Sequence, residues 1–366
     1  MQFATRALVI SLLTMLQAAF GGSVDLCSAQ TPTQRELRIA GLFDLTGGGA
    51  IWGKTERNAF LLACGDFEQK NQGIKVIPIL EDSMFSSKQT VTALHKLISI
   101  DKVTSIVGAT WETTVPMMPI CENKKVICIS PSYHGKEYYQ RDWRYSFTAW
   151  FDDREYSRIL AREMNTLNHK NVAIFAALTP YYDSLIESFT SLSQGTIVTN
   201  QRMMLEERDF RSLITRAPRN VDAILMLLDN AGQIQAFLKQ WSELRNDRPP
   251  VFSDDLIMYL DPPENIHRYG FKFFYSYPVF DKRLADEFAG KYAKAYRTPP
   301  EGSSGAVSYD ETMILLGCMR DSDVTEVVRD CVASTAAYQG YSGLLSFNGK
   351  QTVIGRELGL RQLERP

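Results

Sequence analysis

Across residues 37–131, short apolar runs alternate with mixed stretches of helical character, and each run ends in small or polar residues. The run "LRIAGLFDL" leads into the glycine loop "TGGGAIWG", "KVIPIL" into "EDSMFSSKQ", "TSIVG" into "ATWETT", and "VICIS" into "PSYHG". Apolar runs of this length, with no polar alternation, read as strands covered on both faces. Their alternation with helical segments predicts a parallel sheet flanked by helices, with ligand-lining loops at the strand ends.

The pattern continues downstream. An amphipathic helix is expected over 152–167, a buried strand over 171–178, and a helix opening at "TPYYDSL". "TIVTNQRMML" reads as a strand and "RDFRSLITRAP" as a short helix with Asp209 as candidate cap. A strand over 222–230 and a helix over 231–245 follow, then a strand over 249–255 that exits into two acids. The aromatic-rich segment 271–279 is too apolar to lie exposed. Two or three helices run through Thr335, and a terminal β-hairpin is expected around Asn348-Gly349.

Composition narrows the class. A formal charge of −2 gives no basic footprint for nucleic acid or anionic lipid. An apolar content of 45% supports one large core or two smaller ones. Residues 1–29 have the layout of a secretory signal peptide: one Arg, an apolar run over 7–20, then small residues with a cleavage site at Ala29. A membrane anchor, or a lipid anchor at Cys27, is the alternative. The expected location is therefore secreted.

The cysteines fit export. Cys318 and Cys331 lie on two helical segments joined by a short polar turn, so an antiparallel pair would bring the sulfurs together as a disulfide. Cys64 reads as a buried thiol. Cys121 and Cys128 flank the "ENKK" turn and read as core thiols, with pairing as the alternative. With no CxxC and only 4 His, neither a metal site nor a cofactor is expected.

Five segments in order resemble the leucine/isoleucine/valine-binding type of periplasmic binding protein, the type I solute-binding proteins of ABC transporters. They are "IAGLFDLTGGGAIWG", "EDSMFSSKQTVTALHKLISIDKVTSIVG", "MPICENKKVICISPS", "VSYDETMILL" and "YQGYSGLLSFNGK". The resemblance implies an α/β fold of two lobes, each a parallel sheet flanked by helices, with three hinge crossovers near Ala149, Tyr275 and Thr335. One lobe would be 36–148 plus 276–334, the other 149–275 plus 335–366. A small-molecule ligand would sit between them, and closure would bury it. The implied partner is an ABC transporter permease in the membrane, and a monomer is expected.

The resemblance also implies a ligand site. A ligand carboxylate would rest on the first lobe, at Thr110, Trp111, Glu112 and Thr113 and at Ser132, Tyr133 and His134. Thr113 and Ser132 are the hydroxyl candidates, with simple capping as the alternative. Glu112 departs from the family's small hydroxyl residues: either it faces solvent or the ligand is cationic. Trp111 offers an indole face to a ligand or packs at the rim. From the other lobe come Tyr181, Asp229 and the pair Asp254-Asp255, where the family holds an acid that grips the ligand ammonium. Asp255 is preferred. Tyr309 reaches the ligand or packs at the hinge, and Trp52 is a weaker candidate.

An enzyme is disfavoured. Of the four histidines, His95, His134, His169 and His267, neither His95 nor His169 has a nucleophile in a matching loop, and a Ser132/His134 pair is too close in sequence for triad geometry. "TGGGAIWG" lacks the lysine of a P-loop and the spacing of a dinucleotide fingerprint. The expected function is thus capture of a small polar solute, an amino acid or related amine or amide, for an ABC importer. The alternative is a ligand-sensing receptor that feeds a signalling partner.

Overall fold

The computed structural model describes residues 34–260, 263–347 and 349–363. The expected signal peptide and Cys27 lie outside the described residues. The opening alternation folds as β1 (Arg35–Phe43), α1 (Ala50–Lys70), β2 (Ile74–Asp82), α2 (Ser87–Ser99), β3 (Ser105–Val107), α3 (Trp111–Lys124) and β4 (Ile127–Ser130). A 3₁₀ turn (Lys136–Tyr139) and β5 (Ser146–Thr148) complete a five-stranded sheet in the order β2-β1-β3-β4-β5. The pairings β1/β3, β3/β4 and β4/β5 are parallel. Their central residues, from Ile39 and Leu42 to Ile106 and Ile129, are fully buried, as two-faced burial requires.

The chain then builds α4 (Asp153–Thr166), β6 (Asn171–Ala177), α5 (Pro180–Leu192), β7 (Thr196–Met203), α6 (Arg211–Arg216), β8 (Ala223–Leu227), α7 (Ala231–Leu244), β9 (Val251–Ser253), α8 (Leu256–Leu260), α9 (Pro263–His267) and β10 (Phe273–Pro278). Helices α10 (Lys282–Tyr296), α11 (Ser304–Asp321) and α12 (Thr325–Ala333) follow, then β11 (Tyr338–Gly340), β12 (Gly343–Leu345) and β13 (Leu358–Leu363). The second sheet runs β13-β10-β9-β8-β6-β7, parallel except for β13, which lies antiparallel to β10 at the edge. Three helix starts carry side-chain caps: Asp152 accepts from Arg154 N, Thr179 from Tyr182 N and Asn230 from Gln233 N. Asp209 accepts from Arg211 N, but Phe210 holds the cap position of α6.

After β5 the chain leaves the first sheet. It returns as α10 and α11, which pack on α1 through Phe288, Tyr292, Ala59 and Ala63. It leaves again after α12. Segment 351–353 runs beside β5, where Thr148 N donates to Gln351 O and Val353 N to Thr148 O. Glu311 of α11 accepts from Ala149 N at 2.7 Å, which ties the first passage to the second helix of the returning set.

Two expectations are corrected. The hairpin is β11/β12, with Gly340 opposite Gly343, so its turn falls at Tyr341-Ser342; of the pair expected at its tip, Asn348 lies outside the described residues. The Tyr341 and Ser342 N–H groups donate to Asp310, and this anchor fixes the turn's place. Cys121 and Cys128 form a disulfide across the end of α3 and the start of β4 rather than standing as thiols. Lys125, in the left-handed conformation, reverses the chain tightly enough to bring the sulfurs together. The Cys318–Cys331 disulfide joins α11 to α12, and Cys64 is buried and free. Among the described residues no helix is long and apolar enough to cross a membrane.

Candidate functional site

A cavity lies where the strand-exit loops of the two sheets meet. The first sheet's side supplies Trp52 from the opening turn of α1, Phe85 after β2, Thr110 and Trp111 after β3, and Ser132 after β4. The start of α11 adds Gly302, Ser303 and Ser304. The other side supplies Trp150 and Tyr156 around the start of α4, Tyr181 from α5, Asp229 after β8, and Asp255 and Leu256 after β9. Among the described residues lining it there is no Lys, Arg or His. The lining is rich in rings: Phe85 meets Trp111 edge-on at 5.4 Å between centroids, and Gly302 packs so close to Trp52 that a β-carbon would sit 3.3 Å from the indole.

The second wall is acidic. Asp254 and Asp255 are buried, at 1% and 6% exposure. Burial pushes the Asp254 carboxyl up to about 7, against the lowering effect of hydrogen bonds from the Tyr181 hydroxyl and the Leu256 N–H. One Asp254 oxygen has no donor in the protein. Burial, then the neighbouring Asp254, pushes Asp255 well above the carboxyl range and Asp229 up to about 7. Asp229 keeps some exposure to the cavity, so solvent screens part of that effect. Burial likewise raises Tyr181, which keeps its proton and can donate.

The first wall contains two further buried acids. Asp44, at the exit of β1, accepts from the hydroxyls of Ser83, of Thr110 at 2.6 Å and of Thr113 at 2.8 Å. Helix α1 comes down directly on this residue, and a β-carbon at Gly53 would strike the Asp44 carbonyl, so only glycine permits the approach. Glu56, one turn further along α1, is fully buried. Burial pushes its carboxyl up to about 8, while the nearby Ser132 and Ser304 hydroxyls pull the other way. None of the Glu56 carboxyl oxygens or the Ser132 and Ser304 hydroxyls completes a hydrogen bond of good geometry.

Of the residues expected from sequence, Trp111, Ser132, Tyr181, Asp229 and Asp255 line this one cavity, with Trp52. Five others do not. Glu112 turns outward and accepts from the N–H of Ser87 at 2.8 Å and from its hydroxyl at 2.7 Å, which steadies the start of α2. Thr113 is committed to Asp44, and the fully buried Tyr133 donates to Glu137. Asp254 is buried and does not line the cavity, with the Tyr181 hydroxyl near enough to lower its carboxyl. Tyr309 donates to Asp66 and stacks edge-on against Tyr341 at 5.1 Å, within the α1/α11 packing. His134 is also removed from the cavity: its Nδ1 pairs with Trp150 O and its Nε2 with Tyr139.

Thr110, named with its loop from the sequence, also lines the cavity. The sequence reading missed Phe85, Trp150, Tyr156, the Gly302–Ser304 turn and Glu56. Phe85 sat in a loop already named as a crevice loop, so the strand-exit rule contained the signal. Glu56 and Ser304 come together only through the packing of α11 on α1, which local pattern does not announce.

Residues 36–357 match the family described as periplasmic binding protein, and the chain belongs to that family. Solved structures share the fold. The branched-chain amino acid transporter substrate binding protein LivJ from Streptococcus pneumoniae, in complex with isoleucine, is 19% identical with a TM-score of 0.73, covering 89% of this chain and 100% of its own. A leucine binding protein, LivK from Thermotoga maritima, is 20% identical with a TM-score of 0.73, covering 88% and 94%. A solute binding protein of an ABC transporter from R. palustris, in complex with 4-hydroxybenzoate, is 17% identical with a TM-score of 0.75, covering 90% and 94%. No curated protein matches the chain. The fold is that of type I substrate-binding proteins of ABC transporters.

Proposed function

We propose that the protein is an extracytoplasmic solute receptor, which captures a small amine-bearing ligand, an amino acid or related amine or amide, and delivers it to the permease of an ABC importer. The two sheets and their helices act as lobes, 36–148 plus 276–334 against 149–275 plus 335–366, that close over the ligand. The observation that carries the ligand class is the carboxyl cluster of Asp229, Asp254 and Asp255 beside Tyr181, in a cavity lined by aromatic rings and by no basic residue. An ammonium in this place gains charge-assisted hydrogen bonds and the faces of Trp and Tyr rings. It also relieves carboxyls that burial otherwise holds protonated.

A thermal-shift screen of amino acids, polyamines, amides and aromatic carboxylates tests the reading. Compounds that carry an ammonium are expected to raise the melting temperature. If only anionic compounds do so, the cationic-ligand reading fails.

A further inference from the structure

Glu56 is a buried acid that the proposed grip on an ammonium does not use. Its two carboxyl oxygens, with Ser132 Oγ and Ser304 Oγ, form a group of four buried oxygens, none with a completed hydrogen bond. Ser132 and Ser304 belong to the cavity lining, so this group reaches the cavity through its two hydroxyls. Two other buried acids face Glu56: Asp44 is closed off by Ser83, Thr110 and Thr113, and Glu311 accepts from Ala149 N.

The proton count gives the group a polarity. A serine hydroxyl has one hydrogen to donate. Once Glu56 is ionised, both hydroxyls can give their hydrogens to its carboxylate and show only lone pairs to the cavity, which matches a donor on the ligand; an ammonium there favours that ionised form. A ligand carboxylate offers no donor and leaves Glu56 in its protonated form, with no basic side chain among the described residues lining the cavity to pair with it. Acids therefore flank the aromatic part of the cavity on both walls: Glu56 behind its two serines on one, Asp229 and Asp255 on the other.

We propose that Glu56, acting through Ser132 and Ser304, selects a ligand that is cationic at both ends, a diamine whose apolar chain lies among the rings of Trp52, Trp111, Trp150 and Tyr181. The proposal rests on the amine reading above and narrows it. Glu56 is a positioning residue: it fixes which way the two hydroxyls point. Conversion of Glu56 from its protonated to its ionised form on meeting the second ammonium releases a proton to solvent.

Cadaverine, pentylamine and δ-aminovalerate share one chain and differ only in the far group: ammonium, methyl or carboxylate. Titration calorimetry on the full-length protein is expected to rank cadaverine at least about tenfold above pentylamine, with δ-aminovalerate weakest. Glu56→Gln cannot ionise, and its amide donates to a serine oxygen whether or not an ammonium is present, which frees a hydroxyl hydrogen for the cavity. The variant is therefore expected to cut the preference for cadaverine over δ-aminovalerate at least about tenfold. Calorimetry in two buffers of different ionisation heat is expected to show less proton release on cadaverine binding in this variant. If δ-aminovalerate or α-amino acids bind wild type most tightly, the proposal is overturned while the amine reading stands. If none of the three binds and aromatic carboxylates do, both are overturned. The ligand ranking on wild type decides the matter even where Glu56→Gln does not fold.

Discussion

Asp44 and the Asp229/Asp254/Asp255 group occupy equivalent places, each at the exit of parallel strands beside the same cavity, yet their surroundings differ. Three hydroxyls point at Asp44, and its polar needs are met inside the first half of the molecule. The second group crowds carboxyls together with one tyrosine and no cation, so burial and mutual repulsion hold them toward the neutral form. A buried acid that completes its own hydrogen bonds fixes a loop. Acids that fail to complete theirs leave a favourable interaction open to a solute. Burial alone does not distinguish the two cases; the donor count does.

The largest effect that separates them is on stability. Asp44→Ala strands three hydroxyls and opens the junction of α1 with β1, which is expected to cost about 3 kcal/mol in chemical denaturation. Asp255→Ala is expected to do the reverse, weakening the best amine of the screen at least about tenfold without lowering the melting temperature. Comparable destabilisation by both variants would erase the contrast. Unchanged amine affinity in Asp255→Ala would transfer the grip to Asp229 or Asp254.

The fold was legible because buried parallel strands announce themselves as apolar runs, and the loops that matter sit at their ends. Trp111, Ser132, Tyr181, Asp229 and Asp255 followed from that rule combined with the family likeness. Side-chain direction was not legible. Glu112 and Thr113 are neighbours on one helical turn, yet one caps α2 and the other turns inward to Asp44. Tyr133 and Tyr309 carry hydroxyls that suit a ligand, and nearby acids already hold them. The hairpin went astray for a similar reason: Asn348-Gly349 is the stronger turn pair by composition, but Asp310, far away in the chain, fixes the turn at Tyr341-Ser342. The Cys121–Cys128 bond depends on the left-handed Lys125, which the sequence does not mark.

The smallest effect is the pH dependence of the protein without added ligand, and its sign follows from the same contrast. Asp229 and Asp254 rise from 3.8 to about 7 in the fold, and Glu56 from 4.5 to about 8. Asp254 is faced by Asp229, Asp255, Asp153 and Tyr181, and Glu56 by Asp44, Glu311, Ser132 and Ser304. Between the ordinary and the raised values the folded state binds more protons than the unfolded one, so stability falls as pH rises. The contribution is whole below the ordinary values and is lost on passing through the raised ones. His134 works in the opposite direction, since burial holds it down to about 4 from 6.5, but that gain is complete once pH exceeds the ordinary value. Above pH 6.5 the acids therefore act without it. The melting temperature is expected to decline from there to pH 8, and Asp254→Asn to make the decline shallower, leaving the variant about 2 °C above wild type at the upper end. A wild-type melting temperature that climbs across this window would show the second wall to be as well satisfied as Asp44.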